Sequence, residues 1–541
     1  WLPNLNRELT DIIAPMYPDV RTIINWASYP TDDERPMILC EFSHAMGNSN
    51  GSLADYFAAF RRCHGLQGGF IWEWIDHGIA RKDDSGREYW VYGGDFGDEP
   101  NDSNFVTDGL VFPDRTPHPG LYEFKKLAQP AEFRAVDPAS GLIAIVNHRC
   151  FTDLSDCELE WEVTVDGRSV AAGRAALPPH EPENFIPDFA GAERHDIFNE
   201  EPHNWFAMKL PVREPAGLRA GEECFLNLRL VLREANCWAE AGHVVASEQF
   251  ALPFHSFAAP AAVAGIPVEP VFDDDGRFSL TCRDERLIER GPVLNVIRAT
   301  TDNDCIRREF GNPEFPWRPA NRWLQAGYFD FRRESCESRA IPGGRETVSS
   351  YATPGGKRIR FSERVRVTEG NWIEMENRFE VEEGIDDLPR LGVELELPGL
   401  FETVEYFGRG PHENYIDRCA AAEVGLYRTT IDAMHVPYIM PQENGHRTGV
   451  RRLKLGGAKL RYALEFLAPA PMEFSIGRYP IGELQTKRHE HELRDSGKVW
   501  LHLDLRQRGV GTASCGPDTL PQYRIPAGDY HFRCLLRVTE A

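Results

Sequence analysis

Three apolar runs near the start of the chain each end in a residue suited to sugar chemistry. "PMILCEF" (36–42) leads through Met37, Ile38, Leu39 and Cys40 to a carboxylate, Glu41, with His44 just beyond it. "DIIAPMYP" (11–18) ends on Tyr17, and "GGFIWEWI" (68–75) ends on Trp72 and Trp74. In β/α folds, catalytic groups sit where strands end and loops begin. A glutamate there is a candidate nucleophile or general acid/base. The alternative is a strand-ending glutamate that pairs with an arginine or water. Aromatic faces stack on the C–H face of a pyranose while carboxylates and amides bond its hydroxyls, so Tyr, Glu and Trp on one rim resemble a sugar site. Each aromatic also reads as barrel packing, and for Trp74 packing is the preferred reading.

The loop "YGGDFGDEPNDSNFVTDGL" (92–110) carries Asp95, Asp98, Asn101, Asp102 and Asp108. Oxygen-rich loops bind hard cations. The spacing is not that of an EF-hand, and a turn-rich loop held by Asx turns explains the composition equally well. "GRGPHENY" (408–415) and "PQENGHRTG" (441–449) are polar and loop-like. "GVGTASCG" (509–516) has glycines but no following helix, and no P-loop, dinucleotide fingerprint or G-x-S-x-G elbow occurs.

The elements that position these residues read as strands alternating with helices over 1–130. Between 36–42 and 68–75 lies "SLADYFAAFRRCHG" (52–65). Its Leu53, Tyr56, Phe57 and Phe60 recur at helical spacing, Ser52 is placed to cap it and Gly65 to end it. This is the βαβ rhythm of a parallel sheet or barrel. Residues 131–256 change to alternating strands such as "CELEWEVTVDG" and "CFLNLRLVLRE", the pattern of a small antiparallel sandwich. The Ala/Pro-rich stretch 257–268 reads as a linker. From 269 to 541 the chain is all β again, too long for one ordinary sandwich, and a large supersandwich is expected.

With 541 residues the chain suits three or four domains, and a net charge of −24 argues against a nucleic-acid or anionic-membrane partner. Twelve scattered cysteines without C-x-x-C pairs argue against zinc and suit a reducing, cytoplasmic setting. Cys40, Cys224 and Cys534 read as small core residues. No apolar run approaches the ~18 residues of a membrane span. The first residue is Trp1 rather than methionine, so the natural N-terminus is expected to lie further upstream.

The chain resembles the long-form β-galactosidases of glycoside hydrolase family 2. The resemblance runs its whole length through "APMYP" (14–18), "ILCEFSHAMGNSNG" (38–51), "LQGGFIWEWIDHG" (66–78), "YGGDFGDEPND" (92–102) and "DGLVFPDRTPHPGLYE" (108–123). It continues through "CWAEAGHVVASEQF" (237–250), "RATTDND" (298–304), "EYFGRGPHENYIDR" (405–418) and "YIMPQENGHRTGVR" (438–451). It implies a multidomain fold: the C-terminal part of a (β/α)8 TIM barrel over 1–130, about strands six to eight, an immunoglobulin-like β-sandwich over 131–256 and a β-supersandwich domain over 269–541.

The resemblance implies a retaining β-galactosidase acting on lactose-type substrates. Glu41 matches the nucleophile and Tyr17 the tyrosine that bonds it. His44 matches a sugar contact, Trp72 the floor of the galactose pocket and Met16 its neighbour. Asn101 matches a secondary magnesium contact, the Phe105 carbonyl a sodium ligand, and position 108 a ligand of both sodium and sugar. That position is commonly Asn and is Asp108 here. Cys515 stands about where some members place a substrate-stacking tryptophan. The acid/base glutamate, in an N-E motif, the main magnesium ligands and two transition-state histidines match nothing in this sequence and are expected upstream. The implied partners are a galactoside and either further copies, tetrameric in relatives, or a complementing N-terminal polypeptide. A related glycosidase such as a β-glucuronidase, or a non-catalytic sugar-binding subunit, are the other readings.

Overall fold

The computed structural model describes residues 9–29, 34–180, 205–254 and 265–541. Most of the 257–268 stretch, and Trp1, lie outside them. The first region is built on parallel pairing. Strand β1 (Met37–Phe42) pairs with β2 (Leu66–Ile71), and a helix, Leu53–Arg62, crosses between them. Residues 13–17 add to the far side of β1 through bridges Ile13–Met37 and Met16–Glu41. They form no continuous strand, because Pro15 and Pro18 supply no N–H to a ladder. Beyond β2, residues 73–76 pair in parallel with 108–111 through Glu73 N to Asp108 O at 2.8 Å and Asp76 N to Val111 O at 2.9 Å. This fourth segment was read from sequence only as part of a loop.

One face of this sheet is covered. Val20 and Ile23 of the helix Val20–Ser28, and Leu53, Tyr56 and Ala59 of the crossover helix, close over Met37, Leu39 and Phe42. The other face is open: Cys40 and Phe70 point from it to solvent, Phe70 with 67% of its surface exposed. Cys40 is therefore not a core residue, since strand alternation puts it opposite Leu39; Cys224 and Cys534 are buried.

Strands Ala131–Asp137, Leu142–Asn147 and Trp205–Lys209 make a three-stranded sheet. It faces a four-stranded sheet of Cys157–Val165, Arg168–Ala175, Cys224–Leu232 and Val244–Leu252, with Ile143, Leu159, Leu226 and Leu230 between them. The remainder is a 14-stranded antiparallel sheet, among the described residues, folded over a single large apolar core.

The first region docks on this large domain through the "GNSNG" turn. Asn48 Nδ2 donates to Tyr415 Oη at 2.9 Å and to the Glu443 carbonyl at 2.8 Å, and Gly51 N donates to Gly511 O at 3.1 Å. A Cβ on Gly51 would lie 2.0 Å from Asp417 Oδ2, and one on Gly47, whose φ is +59°, would lie 2.5 Å from Asp302 Oδ2. The small polar residues are thus a packing seam. Ser52 does not cap its helix: its N–H is drawn to Asp417 O at 2.7 Å, which leaves it at φ +61° with no side-chain cap.

Behind the seam lies a buried polar layer. Arg390 pairs with Glu443 and Asp504, and His446 Nε2 sits 3.0 Å from Glu473 Oε2. Burial pushes Glu473 up to about 8 and His446 down to about 3, so both are neutral near pH 7. Raised in the folded state, Glu473 contributes stability below its unfolded value that is lost as pH climbs to about 8. E473Q removes this dependence. Relative to the parent chain it is expected to gain stability, on the order of a few kcal/mol, as pH rises through that window in urea titrations. A pH-independent difference would refute the assignment.

Candidate active site

Four parallel segments deliver their ends to one rim. Glu41 is half-buried near the end of β1, and Tyr17 is tied beside it by its N–H to Glu41 O at 2.9 Å. Tyr17 holds φ +48°, a strained geometry for a non-glycine residue. Its hydroxyl feels the charge of the Glu41 carboxylate and of the Cys515 thiol. Burial, then these neighbours, raise the phenol well above its ordinary range. It therefore stays protonated near neutral pH.

His44 is fully buried behind them. Its Nδ1 is 2.9 Å from Ser514 Oγ and its Nε2 is 3.4 Å from Asp108 Oδ2. The ring stacks on Phe105 at 5.2 Å and meets Tyr17 edge-on at 5.9 Å. Asp108 Oδ2 also accepts from Trp72 Nε1 at 3.2 Å. Burial opposes ionisation of Asp108, but His44, Glu73 and Trp72 outweigh it and hold the carboxyl below its usual range. Glu73 moves the other way, to about 7, by desolvation and then by the neighbouring Asp108. Glu73 was not read as a site residue; its place between Trp72 and Trp74 in "WEW" was the available signal.

Met16 and Trp74 stand at the rim, 61% and 62% exposed. Trp74 thus finds no barrel packing among the described residues. Trp72 is 41% exposed, with its indole N–H anchored and a face free. Cys515 reaches the site on the 509–516 loop, which the sequence reading had set aside. The adjoining Gly516 lies on the Tyr17 ring, where an added Cβ would be 3.5 Å from Tyr17 Cβ.

The fit to cations differs between the two sites. Asp108 Oδ1 is buried with no hydrogen-bond partner, an anionic oxygen suited to a monovalent cation. Asn101 is exposed and closes its own turn, donating to Asp98 O at 2.9 Å and accepting from Ser103 N at 3.0 Å. The 92–102 part of the loop is held by such bonds, with Asp95 accepting from Tyr92 N and Asp98 from Gly94 N. Among the described residues no three His, Cys, Asp or Glu side chains converge as metal ligands, so Asn101 by itself does not make a magnesium site.

Residues 1–133 match the description "Glycosyl hydrolases family 2, TIM barrel domain". The next two regions narrow the assignment: 143–253 match "Beta-galactosidase, domain 4" and 270–536 match "Beta galactosidase small chain", which places the sequence in the long β-galactosidase group of family 2. It is 35% identical to "Beta-galactosidase 2" of Enterobacter cloacae over 96% of this chain and 50% of that protein. It is 34% identical to a β-galactosidase of Vibrio cholerae, over 98% and 52%. For one of Vibrio vulnificus strain CMCP6 the identity is 32%, over 99% and 52%. The chain spans about half the length of the curated relatives it matches. No helix among the described residues is long and apolar enough to cross a membrane.

Proposed function

We propose that this chain supplies the nucleophile half of a retaining β-galactosidase that releases terminal non-reducing β-D-galactose from lactose-type substrates. The observation that carries the reading is the seating of Tyr17 beside Glu41, its N–H on the Glu41 carbonyl at 2.9 Å, on a rim that also presents Trp72. Retaining glycosidases use two carboxyl groups about 5–5.5 Å apart. In the first step a Glu41 oxygen bonds the anomeric carbon as the glycosidic C–O bond breaks, and the leaving oxygen takes a proton from the acid. In the second, water attacks that carbon, gives its proton to the same group, and Glu41 leaves as carboxylate. The Tyr17 hydroxyl orients the attacking oxygen and then stabilises the departing carboxylate. Trp72 stacks on the sugar, Met16 borders it, and His44 and Asp108 face its hydroxyls.

The acid/base glutamate lies upstream, in barrel strands that this sequence does not hold. A sodium ion would be held by Asp108 and the Phe105 carbonyl, where it offsets the carboxylate and orients sugar hydroxyls. Magnesium would need ligands beyond Asn101, which among the described residues has no carboxylate or histidine cluster to complete a site. The assembled enzyme is cytoplasmic and oligomeric. A second reading, a subunit completed by a separate N-terminal polypeptide, is favoured by the open sheet face around Phe70 and Cys40.

The test is to assay the 541-residue chain alone and together with the upstream half on lactose and a panel of nitrophenyl glycosides. The chain alone should hydrolyse nothing; the combination should prefer the β-galactoside over the glucuronide. Robust turnover by the isolated chain, or a glucuronide preference, would overturn the proposal.

A further inference from the structure

We propose that Asn303, on the large C-terminal domain, is a positioning residue for the rim: its carboxamide clasps the 509–516 loop to the turn after Glu41 and so seats the Tyr17 ring beside the nucleophile. The catalytic side of this role rests on Glu41 and Tyr17 acting as proposed; the seating itself does not.

A buried loop without strand pairing must find other partners for its main chain. From Arg508 to Ser514 four buried side chains supply them. Arg298 donates to the Arg508 carbonyl at 2.6 Å and the Gly509 carbonyl at 3.2 Å. Asp417 accepts from Val510 N at 3.0 Å and Gly511 N at 2.9 Å. Arg318 Nη1 donates to Ser514 O at 3.1 Å and also to Ala513 O. Asn303 both accepts and donates: Oδ1 takes Ser514 N at 3.0 Å, and Nδ2 gives to Gly511 O at 3.3 Å. Its Nδ2 also reaches across to the turn after Glu41, donating to Asn48 O at 3.1 Å. One side chain thus joins the two loops that meet at the rim.

The clasp needs a carboxamide. A main-chain N–H can only donate and a carbonyl can only accept, so the neighbours of Asn303 call for one acceptor and two donors at fixed places. An isosteric carboxylate would turn an oxygen onto two carbonyls. Alanine would strip the partner from Ser514 N and Asn48 O inside a buried seam, which is costly. The clasp in turn holds what surrounds Tyr17. Gly516, two residues past Ser514, lies on the Tyr17 ring, where an added Cβ would be 3.5 Å from both Cβ and Cδ1. Ser514 Oγ is 2.9 Å from His44 Nδ1, and the His44 ring meets Tyr17 edge-on at 5.9 Å. Tyr17 sits at φ +48°, which its own main chain disfavours, so its neighbours must keep it there. Those neighbours hang from the loop that Asn303 fixes.

The experiment reads Tyr17 by 19F NMR in the 541-residue chain carrying 3-fluorotyrosine, with Tyr17 assigned by its loss in Y17F. The parent chain should show Tyr17 as one resonance set apart from exposed tyrosines. N303A and N303D should both move it toward the exposed position or split it, N303D at least as far although it matches asparagine in shape. Leu280→Ala empties core volume in the same domain and should leave the signal in place. An unmoved signal in N303A or N303D, or an equal shift in Leu280→Ala, overturns the proposal. Hydrogen exchange in the parent chain needs no variant: the Val510, Gly511 and Ser514 amides should exchange slowly, and fast exchange also overturns it. In the enzyme completed by its upstream half, N303A should lower galactoside kcat about tenfold with KM held within about twofold, because Tyr17 serves the reacting carboxylate. An unchanged kcat overturns the catalytic side of the role. If the completed enzyme cleaved no galactoside, the galactosidase reading would fall while the fluorotyrosine signal still decided what Asn303 seats.

Discussion

Glu41→Gln is expected to lower galactoside turnover by the completed enzyme by at least about 10⁴-fold, the scale on which loss of a catalytic nucleophile is felt. Glutamine keeps the shape of the side chain and can still accept a hydrogen bond from Tyr17. Its amide oxygen cannot form the glycosyl ester, so the first displacement loses its nucleophile and the second has no intermediate to act on. The substitution is at a half-buried rim position, where the effect on folding should stay within roughly 0.5 kcal/mol. A large loss of turnover with an unchanged unfolding midpoint is therefore the signature. Near-normal turnover would place the nucleophile elsewhere.

The second large effect is on stability. Arg298 is fully buried and forked onto the equally buried Asp304, with Nε to Oδ2 at 2.9 Å and Nη2 to Oδ1 at 2.7 Å. It also donates to the Arg508 carbonyl at 2.6 Å and the Gly509 carbonyl at 3.2 Å. Arg298→Met leaves Asp304 charged and buried without its fork. Breaking one side of such a pair costs about 3–5 kcal/mol. The urea midpoint of the large domain should fall accordingly. Arg298→Lys should recover little, because a lysine cannot serve two carboxylate oxygens and two carbonyls at once. The same change unhooks the start of the 509–516 loop, whose Arg508 and Gly509 carbonyls Arg298 holds. A loss under about 1 kcal/mol would show that Arg298 does not carry this part of the fold.

Local pattern made much of the architecture legible. The apolar run ending at Glu41, the helical spacing of Leu53 and Tyr56 and the alternation of Leu159 and Trp161 are all nearest-neighbour signals, and each element formed where they put it. Glu41, Tyr17 and Trp72 could be grouped because parallel strands bring their ends to one edge. What stayed hidden depends on contacts that no local period encodes. Ser52 looks like a helix cap until Asp417, far along the chain, takes its N–H. "GNSNG" carries no local period, and Tyr415, Gln442 and Asp302 close on it. "GVGTASCG" has no local signal of its own, yet it brings Ser514 to His44 and lays Gly516 on Tyr17. Cys40 sits among apolar residues in sequence but faces outward, because its parity on β1 assigns it to the uncovered side of the sheet. In the first three cases the deciding partner comes from another domain.

The role of Glu41 is most directly tested by trapping. The completed enzyme, incubated with a 2-deoxy-2-fluoro-β-galactoside bearing a good leaving group, forms the glycosyl ester faster than water removes it. Proteolysis and mass spectrometry should then find one fluorogalactosyl group, attached to Glu41 in the peptide containing "ILCEFSHAMG". A label on any other residue, or continued turnover with no covalent adduct, would contradict the account.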